Sequence, residues 1–206
     1  MTTPDAELRN RNLLTLAGLA ALFLAPLVAA VWLYYGTAWR PAGHVNHGQL
    51  ISPPRPLPSL DLPLVRLDDV EGELPASAPT LFRGTWTLAY VGDGGCDAAC
   101  RRTLYVMRQT QAALGTDMTR VSRVFLVTGN CCAKAYLARE HAGIMVLDAT
   151  GSAGKALLGK FPPGGWAYSL FVVDPLGNLM MRYDVRRNPR GLLIDLRRLL
   201  SLSDIG

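Results

Sequence analysis

Lysine, histidine and cysteine are all scarce in this 206-residue chain, and each shortage narrows what the protein can be. Lysine occurs only as Lys134, Lys155 and Lys160, so arginine carries nearly all the positive charge, a bias expected of a GC-rich bacterial genome. The formal net charge of +5 suits an anionic membrane surface or an acidic protein partner. No pattern of aromatics interleaved with basic residues marks a nucleic-acid surface. Four cysteines in two close pairs do not make a disulfide-stapled miniprotein, and the chain is long enough to bury a core of its own. They indicate one or two reactive sites. No internal repeat is present.

Charge is absent altogether from Leu13 to Tyr35, LLTLAGLAALFLAPLVAAVWLYY. Such a run crosses a bilayer core of about 30 Å as a helix. Trp32, Tyr34, Tyr35 and Trp39 form the aromatic group expected at a membrane interface, and Pro26 kinks such a helix without forbidding it. The run is too long for an ordinary signal-peptide core, which favours an uncleaved anchor. Arg9 and Arg11 face Arg40 and Arg55 across it, so the positive-inside rule barely decides orientation. A short segment ahead of a single anchor usually stays inside, placing the following domain outside the cytoplasm.

Residues 40–80 hold eight of the 14 prolines, which predicts an extended, partly polyproline-like linker. His44 and His47 lie in it as solvated linker histidines, and Leu60, Leu62, Leu64 and Leu67 suggest a short strand or arm docking on the domain.

The globular part begins near Leu81 and is organised around Trp86 to Leu114, WTLAYVGDGGCDAACRRTLYVMRQTQAAL. Trp86, Leu88, Ala89, Tyr90 and Val91 read as a buried strand that breaks at Gly92-Asp93-Gly94-Gly95. Cys96 and Cys100 follow at the start of a helical pattern carried by Leu104, Met107, Gln111 and Leu114. Val121–Val127 is a second strand, and Asn130 is a plausible cap for a helix after Cys131 and Cys132. Ile144–Leu147 is a short apolar run. Tyr168–Val173 and Leu179–Tyr183 read as a hairpin around Asp174-Pro-Leu-Gly, and Leu192, Leu193, Leu196, Leu199 and Leu200 stripe a closing helix. The order is β-α-β-α-β-β-α. A right-handed crossover makes the first two strands parallel, so both cysteine pairs, with Trp166, fall at one edge of the sheet.

Two sulfurs at i and i+4 share a helix face. That spacing suits a disulfide and equally suits two thiolates on one soft metal ion. A helix start favours thiolates through its unpaired N–H groups, Arg101 and Arg102 adding to this if they turn inward. Asp97 is read as a helix cap. Cys131 and Cys132 either fill space below a helix start or join the site; a bridge from one of them to Cys96 or Cys100 is easier to form than one between neighbours. The basic series Arg182, Arg186, Arg187, Arg190, Arg197 and Arg198 is read as a solvated face. Nothing around the cysteines matches a peroxiredoxin's Thr-x-x-Cys pocket.

WTLAYVGDGGCDAACRRTL and SLFVVDPLGNLMMRYD, within a span from Gly84 to Leu200, resemble the Sco/SenC family of membrane-tethered, thioredoxin-fold copper chaperones for cytochrome c oxidase. The resemblance implies an α/β thioredoxin-like fold, a central mixed sheet with helices on both faces, preceded by one transmembrane helix. With the reading of the residues above, this gives 1–12 as a cytoplasmic segment, 13–39 as the anchor, 40–80 as the linker and 81–206 as the domain, expected in the periplasm of a bacterial inner membrane. Cys96 and Cys100 are then thiolate ligands for Cu(I), or a dithiol–disulfide couple acting on an oxidase subunit or another assembly factor. In the couple, Cys96 is expected to be the more exposed nucleophile. The family completes its copper site with a histidine just before the hairpin, and here that position falls on or beside Trp166. His141 is read as a helix-end residue rather than a ligand. Copper is then either held by cysteines alone, Cys96 and Cys100 with Cys131 or Cys132 in place of the imidazole, or not held. A thiol–disulfide oxidoreductase and a redox-inactive scaffold are the competing expectations.

Overall fold

A computed structural model describes residues 4–37, 45–67 and 81–205. His44, Trp39, Arg40, Pro41, Pro75 and Pro79 of the reading above lie outside these residues. The chain forms two compact units, divided at His44 and Val45. The first is helix α1, Pro4–Gly36, which runs through Pro26 without a break. Over Arg9–Gly36 it is long and apolar enough to cross a membrane.

The second unit is a six-stranded mixed sheet with helices on both faces. Its elements are β1 (Gln49–Pro56), β2 (Trp86–Gly92), α2 (Ala98–Ala112), β3 (Val121–Val127), α3 (Lys134–Glu140), β4 (Met145–Asp148), α4 (Ser152–Leu158), β5 (Ser169–Val173), β6 (Asn178–Asp184) and α5 (Pro189–Leu202). The strand order is β1-β6-β5-β2-β3-β4. β2, β3 and β4 are parallel neighbours, the first two as the crossover argument requires; β5 runs antiparallel to β2 and forms the expected hairpin with β6. β2 and β3 are covered on both sides, which is why they read as continuous apolar runs rather than alternating ones.

The alternate residues of each strand feed two cores. On one face Leu88, Tyr90, Phe125, Leu170 and Val172 meet Leu104 and Met107 of α2, Leu137 of α3 and Leu192 and Leu196 of α5. On the other, Ala89, Val91, Val124, Leu126 and Phe171 meet Leu157 of α4, Phe161, and Leu57 and Leu62.

Two parts of the sheet differ from the sequence reading. Within the proline-rich stretch read as a linker, β1 pairs with β6 at the sheet's edge. Gln49 and Leu50 pair before a register shift, and Arg55 and Pro56 after it, leaving the intervening prolines where no ladder donor is needed. Leu64 then bridges Leu147 beside β4, as expected of a docking arm. The apolar run at residue 144 is also a strand, β4, and the glycine-rich stretch after it holds α4.

His47 is exposed, yet it is not a free linker histidine. Its Nδ1 lies 2.9 Å from Oδ1 of Asp195 on α5, and its backbone N–H donates to Oδ2 at 2.7 Å. The Gly48 N–H and the Tyr183 hydroxyl also donate to Oδ2, at 3.1 and 2.7 Å. Burial pushes the Asp195 pKa up, but these hydrogen bonds outweigh it and hold the carboxyl below its ordinary range.

Candidate thiol site

The site forms where β2 runs out. After Gly92 the chain turns on the Asp93 side chain, whose Oδ1 accepts from the Gly95 N–H at 2.8 Å, and reaches Cys96 in the left-handed region at φ 50°. A non-glycine residue there carries local strain. Asp97 caps α2: its Oδ1 accepts from the Cys100 N–H at 2.9 Å, as the sequence suggested. Cys96 and Cys100 are joined as a disulfide, with their Cα atoms 5.0 Å apart.

Both cysteines are 2 % exposed, so Cys96 is not the more accessible of the two. They belong to the buried cluster that also holds Leu104, Val127 and Leu137. Arg101 does not turn its charge on the sulfurs. Its Nε donates to the Cys96 carbonyl at 3.2 Å and its guanidinium lies 4.9 Å from the centre of the Tyr136 ring. On the opposite side Cys100 lines a cavity of about 520 Å³ with Tyr90, Asp93, Asp97, Trp166 and Ala167. Burial, then Asp97, Asp93 and Tyr168, push the Tyr90 hydroxyl pKa well up, so Tyr90 presents a neutral phenol to this cavity.

The loop after β3 lies directly against the glycine turn. The Ala133 N–H donates to the Gly94 carbonyl at 2.8 Å, and the Asn130 N–H donates to Asp93 Oδ2 at 3.2 Å. A Cβ on Gly94 would contact the Asn130 carbonyl and sit 3.0 Å from the Cys131 Cα, so glycine permits this approach. Asn130 is therefore not the helix cap. The chain makes a further turn through Cys131 and Cys132, which are joined as a disulfide, and α3 begins after Ala133. The easier-to-form bridge to Cys96 or Cys100 is not made. Cys131 is exposed; Cys132 is half-buried and packs against the cluster that contains Cys96 and Cys100.

Trp166 opens the short turn before β5, where the resemblance expects histidine, and its Nε1 donates to the Pro162 carbonyl at 2.7 Å. His141 is occupied elsewhere. It is 1 % exposed, its Nε2 lies 3.0 Å from the Tyr136 hydroxyl, and burial, then Arg108 and Arg123, push its pKa down to about 4. His141 does stand at the C-terminal end of α3, as the helix-end reading has it, with its imidazole held neutral. Among the described residues, no group of three or more histidine, cysteine, aspartate or glutamate side chains is arranged to hold a metal ion.

The supposed basic face is partly tied up: Arg182 donates to Ser169 and Gly164, Arg186 pairs with Asp184 at 2.6 Å, and Arg197 donates to the Ala113 carbonyl. Asp93 and Gly94, which join the two cysteine loops, were not singled out by sequence reasoning. Their signal is the Asp-Gly step, which favours a side-chain-to-backbone turn.

A strand, a glycine turn and a cysteine pair at a helix start, set in a mixed sheet layered by helices, define a thioredoxin-like thiol protein. The chain belongs to the family described as transmembrane-like, thioredoxin-like, C-terminal domain, whose model matches residues 86–203. No curated protein matches it. Among solved structures, apo Sco1 from Thermus thermophilus is similar over 79 % of this chain and 100 % of its own, at 19 % identity and a TM-score of 0.55. Yeast Sco1 with copper bound is similar over 59 % of this chain and 82 % of its own, at 16 % identity and 0.52. A SCO1/SenC family lipoprotein from Bacillus anthracis covers 73 % of this chain and 99 % of its own, at 14 % identity and 0.52. These three share the fold.

Proposed function

We propose that this is a membrane-anchored, Sco-like accessory protein for cytochrome c oxidase assembly that handles Cu(I) or the cysteine thiols of a copper site. The observation that carries the reading is the Cys96–Cys100 pair, held with Cα atoms 5.0 Å apart at the start of α2. Once reduced, these residues offer two soft thiolates on neighbouring turns, the donors Cu(I) prefers. Copper is the cargo, passed to an oxidase subunit or another assembly factor. Cys131 or Cys132 supplies a third sulfur in place of the absent imidazole. The apolar helix α1 supports a single-pass anchor, with the thiol domain on the periplasmic side of a bacterial inner membrane.

A second reading is favoured by Trp166 standing where the resemblance expects histidine. With no imidazole there, Cys96 and Cys100 act as a dithiol–disulfide couple on the same class of partner, without holding metal.

Cu(I) titration of the reduced full-length protein in detergent, beside Cys96→Ser and Cys100→Ser, separates the two. Stoichiometric binding lost in both variants supports copper handling. No binding, with rapid exchange against a protein disulfide, supports the oxidoreductase. Neither activity leaves a scaffold and removes both readings.

A further inference from the structure

The two cysteine pairs differ in one physical respect that bears on thiol exchange. A thiolate must reach the sulfur it attacks, and its rate depends on access as well as on pKa. Cys96 and Cys100 are each 2 % exposed, whereas Cys131 is exposed to solvent. The pairs sit on abutting loops, tied by Ala133 N–H to Gly94 C=O and by Asn130 N–H to the Asp93 carboxylate. A Gly94 Cβ would be 3.0 Å from the Cys131 Cα, and Cys96 is two residues further on. Chain geometry then keeps the Cα atoms of Cys131 and Cys96 within about 12 Å. Cys132 is half-buried and packs against the core cluster that includes the buried pair.

We propose that Cys131 and Cys132 form an exchange relay, through which an external protein dithiol delivers two electrons to the buried Cys96–Cys100 disulfide. The inference rests on the thiol reading of the Cys96–Cys100 site and adds the route by which that site is reduced. A thiolate of the donor attacks the exposed Cys131 sulfur, breaking the Cys131–Cys132 bond and forming a mixed disulfide. The donor's second thiolate attacks its own sulfur in that bond and leaves as the oxidised donor, so Cys131 and Cys132 become thiols. The Cys132 thiolate then attacks one sulfur of the buried pair, expelling the other as a thiolate. Cys131 attacks the Cys132 sulfur of this internal mixed disulfide, restoring Cys131–Cys132 and freeing the second buried thiol. Two electrons and two protons have passed from donor to Cys96 and Cys100, and the vicinal pair is regenerated.

The rival route is direct attack through the cavity beside Cys100. Full-length oxidised protein in detergent is treated with reduced thioredoxin or with a small phosphine, and alkylation of Cys96 and Cys100 is followed by mass spectrometry. With thioredoxin, the Cys131→Ser/Cys132→Ser double variant is expected to be reduced at least about tenfold more slowly than the native chain, while the phosphine rates stay within about twofold. Cys131→Ser alone is expected to trap Cys132 in a disulfide with Cys96 or Cys100, because the resolving thiol is gone. Equal thioredoxin rates in the native and double-variant proteins overturn the relay, as does an equal fall with both reductants. Copper titration of protein reduced beforehand does not depend on this route, so failure here is distinguishable from failure of the function proposed above.

Discussion

The backbone N–H of Ala133 donates to the carbonyl of Gly94 at 2.8 Å, fastening the loop that carries Cys131 and Cys132 to the turn that delivers Cys96. The two cysteine pairs thereby form one structural unit, although 30 residues of chain separate them.

Replacing Gly94 tests that unit. A Cβ there meets backbone, the Asn130 carbonyl and the Cys131 Cα, rather than a side chain able to swing aside. Gly94→Ala is expected to cost about 1–3 kcal/mol, the usual price of overpacking. The thermal midpoint should fall by roughly 2–12 °C for a domain of this size. Hydrogen exchange at the Ala133 amide should accelerate. Gly151→Ser, at an exposed N-cap with nothing within 4 Å of its Cβ, should leave both unchanged. An unaltered Ala133 amide in Gly94→Ala would show that the loops are not coupled.

His141 predicts an acid-sensitive fold. Its pKa is held at about 4 in the native protein, below the ordinary histidine value of 6.5. The unfolded chain therefore binds a proton more readily than the folded one between those values. Stability from the neutral imidazole is fully present above pH 6.5 and is lost as pH falls towards 4. For a side chain only 1 % exposed the loss amounts to about 3 kcal/mol. Denaturant midpoints from pH 7 to 4 should drop steeply in the native protein and less steeply in His141→Gln, which cannot charge. Parallel pH profiles would assign the acid sensitivity to other groups.

Asp195 predicts a stability loss remote from the thiols. It gathers hydrogen bonds from His47, Gly48 and Tyr183 onto a buried carboxylate, tying the chain that enters β1 to α5. Asp195→Ala leaves two buried donors, of Gly48 and Tyr183, and the exposed His47 without their acceptor and should cost about 2–4 kcal/mol. Proteolysis around residues 45–56 should become faster in step, while alkylation of reduced Cys96 and Cys100 should not change. A variant as stable as the native chain would mean that solvent replaces these bonds at no cost.

Much of the fold is written in local pattern. β2, the glycine turn, α2, β3, the β5–β6 hairpin and α5 each follow from an apolar run, a period of 3.6 residues or a turn sequence, which their own side chains carry. β1 escapes such a reading because its prolines contradict strand propensity. It exists because an edge position with a register shift asks little of their missing donors. α4 escapes because a seven-residue helix beside glycines has little intrinsic stability and is held by burying Leu157.

By itself the sequence determined the apolar helix, the parallel direction of β2 and β3 and the presence of two cysteine pairs at one edge of the sheet, because chain direction and crossover handedness follow from local elements. Only the tertiary structure decided which sulfurs are buried, which cysteine faces solvent, and which partners Nδ1 of His47 and Nε2 of His141 meet. Those properties depend on what distant segments lay against a residue: the Asn130 loop on Gly94, Tyr136 on His141, and α5 on the start of β1.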